Sequence, residues 1–144
     1  MNKDINLALL GASGVVGRKI LQILEKRDIQ LDNFYPLGFS TVGNEIEFKN
    51  YKYTILDVES FDLSKINIAI FSAGSEVAKK YAETFVEKGI YVIDLSSEYR
   101  YDDDVPLVIP EINNHEIKKL NKPALIASPN CSVSQLLLTI QPIH

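Results

Sequence analysis

Cysteine occurs once in this sequence, at Cys131, and tryptophan not at all. One cysteine excludes an internal disulfide and fits a reducing, cytoplasmic setting. Long hydrophobic runs are missing as well. No stretch approaches the roughly 20 apolar residues needed to cross a bilayer, so no membrane association is expected. The opening MNKDINLALLG runs into a glycine loop with no small-residue cleavage site before it, which excludes a signal peptide. There is no surplus of positive charge. The net charge is −4 and the pI about 5.2, so no global field draws nucleic acid or acidic lipid. Arginine is limited to Arg18, Arg27 and Arg100, and histidine to His115 and His144.

What remains is ordinary globular material. The chain has 144 residues, 46% of them hydrophobic, enough for about one domain with a sizeable core. No repeat, low-complexity segment or linker interrupts it. Short apolar runs alternate with amphipathic ones. Strands are expected at Ile5 to Leu10, Phe34 to Phe39, Ile66 to Phe71, Ile90 to Leu95 and Ala124 to Ala127. Helices are expected through Ile20, Leu21, Ile23 and Leu24 to about Arg27, from Glu76 to Lys88, and from near Cys131 or Ser132. EIEFKNYKYTIL reads as a small hairpin around Lys49 and Asn50. Leu107 to Ile109, flanked by prolines, is an edge strand or a loop.

This alternation implies an α/β fold, Rossmann-like and doubly wound, with a mainly parallel sheet and helices on both faces. Ligands bind such sheets beyond the carboxyl ends of the strands. GASGVVG, FSAG, SSEYR and SPNC each follow a strand, so four loops are expected at one edge.

Gly11, Gly14 and Gly17 have G-x-x-G-x-x-G spacing, near the dinucleotide fingerprint though not the same. Glycines there permit a tight turn, close approach of a pyrophosphate, and helix-on-strand packing. The following helix N-terminus offers free N–H groups to the phosphate. No acid follows the second strand to bind a ribose 2′-hydroxyl. Ser40 and Thr41 stand there instead, open to a 2′-phosphate, which points to NADP, or to a plain serine–threonine turn.

Pro129 restricts Ser128 to extended backbone, and Leu136, Leu137 and Ile140 follow at helical spacing. Cys131 therefore falls at a helix head, where unpaired N–H groups favour a thiolate. Such a thiolate attacks aldehydes, thioesters and acyl phosphates. The other reading is a small apolar residue in a core. Arg100 in its polar loop suits a phosphate or carboxylate, or a surface ion pair with Asp102 to Asp104. His115 reads as solvated on a short polar helix. His144, 13 residues after Cys131, is too far along the helix to serve as its base. No metal site is expected.

Together GASGVVG, FSAG, the Ser-x-Tyr-Arg loop with VPLVIPEIN, and SPNCS resemble aspartate-β-semialdehyde dehydrogenase along the whole chain. Pro-Asn-Cys is the most specific element. N-acetyl-γ-glutamyl-phosphate reductase usually has Gly-Cys-Tyr at that point. The resemblance implies a Cys131 thioester, with Asn130 positioning the substrate and Arg100 binding the phosphate. It implies NADP held by Gly11, Ser13, Gly14, Val15, Val16, Gly17, Ser40, Thr41, Ser72, Ala73 and Gly74. The implied reaction converts aspartyl phosphate to aspartate semialdehyde, toward lysine, threonine and methionine, in a homodimer.

Two departures accompany it. Members of this type usually show Arg-Ser-x-Gly-Lys where this chain has Ser40-Thr41-Val42-Gly43-Asn44. They are also more than twice as long. The expectation is that residues 1–144 form the dinucleotide-binding domain, ending just after the nucleophile helix. The acid–base histidine, the carboxylate-binding arginine and much of the dimer interface would then belong to a further domain. Without them turnover is not expected, and the alternatives are a non-catalytic nucleotide-binding remnant of a split or decayed gene, or N-acetyl-γ-glutamyl-phosphate reductase.

Overall fold

The computed structural model describes residues 4–143, so His144 lies outside the described residues. Six strands form one sheet: β1 (Asn6–Leu10), β2 (Asn33–Gly38), β5 (Leu56–Asp57), β6 (Ile68–Phe71), β7 (Tyr91–Asp94) and β8 (Leu125–Ala127). Their order is β5-β2-β1-β6-β7-β8, and every pair is parallel. Counted along the sheet this is 3-2-1-4-5-6, the doubly wound order, with its switch point between β1 and β6.

The strands alternate faces as period two requires. In β1, Ala8 and Leu10 join a core with Phe71, Val92 and the α2 (Ser75–Glu87) residues Ala78, Ala82 and Phe85. Leu7 and Leu9 face the other way. They pack with Phe34, Phe48 and Leu21 of α1 (Val15–Lys26). One helix therefore covers each side of the switch point.

The hairpin is real but shorter than expected. β3 (Glu45–Phe48) and β4 (Tyr51–Thr54) pair antiparallel. Lys49 and Asn50 turn the chain at φ 50° and 64°, as a two-residue hairpin turn needs. Leu56 does not belong to it. It pairs with Leu37 as the outer edge of the main sheet. Leu107 makes only a single parallel bridge to Ala127. Two short helices, α3 (Pro110–Asn113) and α4 (His115–Lys118), precede β8.

The last helix, α5 (Cys131–Ile140), has no buried residue. Leu136, Leu137 and Ile140, read at helical spacing, are 36–59% exposed. The helix forms as expected, but these residues supply no core to the domain described. No helix among the described residues is long and apolar enough to cross a membrane.

Candidate functional site

The loops after β1, β2, β6, β7 and β8 meet at the carboxyl edge, where two cavities share Ser72. The first, about 410 Å³, is lined by Gly11, Ser13, Gly14, Ser40, Thr41 and Ser72, with Ala73 beside them. The second, about 560 Å³, is lined by Val16, Gly74, Arg100, Asn130, Cys131 and Gln135 among others. Val15 lines neither and is 89% exposed. Gly17 is buried beneath the loop rather than facing it.

The glycine loop is built by close approach. Gly11 has φ 81°, and a Cβ there would lie 2.7 Å from the Ser72 carbonyl oxygen. That crowding is where the β1 and β6 loops touch: Ser72 Oγ donates to Leu10 O at 2.7 Å. A Cβ on Gly17 would overlap the Gly11 carbonyl and Ala12 Cα. Gly14 is the N-cap of α1 and offers no side-chain cap, and no acid sits in the first turn. The first N–H groups of α1 are thus left for an outside acceptor. A backbone cradle of this kind fits a dinucleotide pyrophosphate. Arg18 is exposed, and its Nε donates to Ser13 O at 2.9 Å and braces the loop.

Thr41 folds back on the strand end, its Oγ1 against Gly38, while Ser40 stays exposed. A third cavity, of about 370 Å³, shares Phe39 and Val77 with the glycine-loop groove and adds Lys79 and Lys80. Lys80 is already committed to Glu59 at 2.7 Å.

In the second cavity Asn130 caps α5, its Oδ1 accepting from Ser132 N–H at 2.9 Å. Cys131 is the first helical residue and is exposed. The reading of Cys131 as a core residue is thereby corrected: it lines an open cavity. Arg100 makes no ion pair with Asp102, Asp103 or Asp104 among the described residues. Its Nε donates to Ser128 O at 2.9 Å and its Nη2 to Leu95 O at 3.0 Å. Two of five guanidinium N–H groups are so used, leaving the end-on pair of nitrogens for a ligand. His115 bonds Glu116 at 3.0 Å, is 62% exposed, and does not line this cavity.

Sequence reading missed Asp94. It is the one fully buried charged residue among those described. Its carboxylate accepts from Ser96 N–H at 3.0 Å and from Ser96 Oγ at 2.7 Å. The available signal was an acid closing the apolar run Tyr91 to Asp94. Tyr99, also in this loop, donates to Ala78 O at 3.4 Å. Burial, and then Glu83, Glu98, Asp94 and Asp102, hold its phenol pKa above the ordinary value.

Strand order, switch-point cavities and glycine cradle define a Rossmann-like domain of the nucleotide-binding class. Residues 6–120 match the family described as semialdehyde dehydrogenase, NAD binding domain, and the chain belongs to that family. It is 43% identical to aspartate-semialdehyde dehydrogenase of Shewanella violacea, over 100% of this chain and 43% of that protein. It is 39% identical to the enzyme of the same name from Legionella pneumophila, over 100% and 42%. A crystal structure of aspartate semialdehyde dehydrogenase II from Vibrio cholerae superposes with a TM-score of 0.92 at 39% identity. It covers 98% of this chain and 46% of that one. The chain thus spans less than half the length of these relatives.

Proposed function

We propose that this chain is the NADP-binding part of an aspartate-semialdehyde dehydrogenase that makes aspartate semialdehyde from aspartyl phosphate. The observation that carries the reading is one cavity shared by an exposed Cys131 at a helix head and an Arg100 with a free guanidinium edge. Cys131 Sγ attacks the acyl carbon. The C–S bond forms, the bond to the phosphate oxygen breaks, and phosphate leaves toward Arg100. When bound, NADPH would supply a hydride to the thioester carbon, after which the C–S bond breaks, the aldehyde leaves and Cys131 returns as the thiolate. The α1 N-terminus and glycine loop hold the pyrophosphate, with Ser72 between the cofactor groove and the cysteine. Asn130 sets Cys131 by capping its helix, and its amide nitrogen is the group it can turn to substrate.

The NADP preference rests on Ser40 and Thr41 with no acid at the β2 end, and on Lys79 in the adjoining cavity. Among the described residues, none that lines the Cys131 cavity can act as a proton-transfer base of the histidine type. The apolar exposure of α5 supports packing against a second domain that supplies that base and much of a homodimer interface. The 144 residues alone are therefore expected to bind cofactor without turning over.

Incubating the full-length enzyme with aspartyl phosphate, without NADPH, tests the proposal. Mass spectrometry should find an acyl adduct on the Cys131 peptide that Cys131→Ser lacks. No adduct, or one elsewhere, overturns it. NADPH and NADH titrations of this chain test the cofactor, and tighter NADH binding would reverse the stated preference.

A further inference from the structure

We propose that Asp94 is a positioning residue for the anion site: it holds both carbonyl groups that aim Arg100. This rests on the reading of Arg100 as the phosphate ligand. Arg100 is fixed by two acceptors, Leu95 O and Ser128 O, on different strands' loops. Each adjoins a group held by Asp94. The Asp94 carboxylate takes both the N–H and the hydroxyl of Ser96, the residue after Leu95. The Asp94 main-chain oxygen takes Ser128 N–H at 2.8 Å. One residue at the end of β7 thereby sets the spacing between the β7 and β8 loops, and the guanidinium bridges the gap so formed.

The chemistry favours a carboxylate here. Two donors from one residue converge on it, and the Ser96 hydroxyl, by donating inward, keeps its own oxygen for Glu98 N–H at 3.1 Å. An amide at position 94 would turn an N–H toward one of those donors. The loop carrying Leu95 O would shift, and Arg100 would lose one acceptor. Its free edge would then no longer point steadily into the cavity it shares with Cys131. Asp94 itself does not line that cavity, so it acts only through Arg100.

The chain's three arginines make this directly observable, because a ¹⁵N spectrum holds only three guanidinium groups. In the 144-residue chain, Asp94→Asn and Ser96→Ala should each speed solvent exchange of the Arg100 Nη2–H that Leu95 O accepts by about tenfold, the loss of one ordinary hydrogen bond. The Arg18 and Arg27 signals should stay put. Inorganic phosphate should shift the Arg100 signal in the wild type, with affinity several-fold weaker in both variants. On an Arg100→Ala background neither change should weaken phosphate further. Should Asp94→Asn not fold, Ser96→Ala decides alone. Unchanged Arg100 exchange in the folded variants, or phosphate weakening that persists without Arg100, overturns the proposal. If phosphate fails to shift wild-type Arg100 while exchange responds as stated, the positioning stands and the phosphate reading falls.

Discussion

Arg100 donates its Nε–H to the carbonyl oxygen of Ser128 at 2.9 Å, which ties the arginine loop to the segment leading into Cys131. The proposed anion ligand and the proposed nucleophile are thus held in one frame. A planar guanidinium can bond two carbonyls on one edge and meet a phosphate with another, and an ammonium cannot.

Arg100→Lys is therefore not a conservative change. In the full-length enzyme it should cut kcat/KM for the phosphate-dependent reaction roughly 100-fold, as loss of about 2–3 kcal/mol of charge-assisted bonding implies. Urea unfolding of the chain should show a loss of about 1 kcal/mol, since Arg100 is only half-buried and its two carbonyl partners regain water. A kcat/KM within threefold of the wild type would contradict this.

The glycines separate into folding and binding positions. Gly17→Ala forces a Cβ into the Gly11 carbonyl and should destabilise the chain by about 1–3 kcal/mol. Gly14→Ala meets only the Gly11 oxygen, at 3.3 Å, at a φ of −70° that alanine adopts readily. It should fold normally and weaken NADPH binding by about tenfold, because its methyl occupies the pyrophosphate approach. Thermal melts and NADPH titrations separate the two effects. Unchanged NADPH affinity in Gly14→Ala would place the cofactor elsewhere.

These contrasts show what was legible beforehand. The parallel sheet and the glycine loop follow from local pattern: apolar runs, glycine spacing and helix periodicity all agree. Pro-Asn-Cys placed Cys131 at a helix head because proline and an Asn cap act within a few residues. Asp94 was not legible, since its partners are the turn it closes and Ser128 in the loop after β8, distant in sequence. Leu56 was misassigned to the hairpin because a two-residue edge strand has no period to read. The apolar spacing on α5 gave the helix but not its surroundings: periodicity reports that a face is apolar, not which body covers it.

Glu59 predicts the acid response. Its carboxylate is bonded first by Lys80 Nζ at 2.7 Å, then by Tyr81 OH at 2.7 Å, which holds its pKa below the usual 4.5. A lowered folded value means the unfolded state binds protons first. The contribution is complete above the unfolded value and fades as pH falls through the folded one. Lys80 is shifted upward, chiefly by its bond to Glu59 and then by Tyr81, so its share is lost only at alkaline pH. Glu59→Gln should flatten the pH dependence of unfolding below about pH 4.5 without altering its slope between pH 6 and 8. The comparison is a series of urea midpoints. An unchanged acid limb would show that this exposed pair contributes nothing.

The apolar surface of α5 gives the last test. Leu136 is 59% exposed, and Val133 and Ile140, at i−3 and i+4 on the same helix face, are each 45% exposed. An apolar stripe of this kind on a helix with no buried residue supports the proposed contact with a second domain. Leu136→Glu should leave the unfolding free energy of the 144-residue chain within about 0.5 kcal/mol, as for an exposed site. It should also reduce concentration-dependent association of that chain in sedimentation, because the face then carries charge. In the full-length enzyme the same change buries an unpaired carboxylate and should lower the melting temperature or prevent assembly. A loss above about 2 kcal/mol in the short chain would mean that α5 already packs on this domain. An unaffected full-length enzyme would mean that nothing covers the face at all.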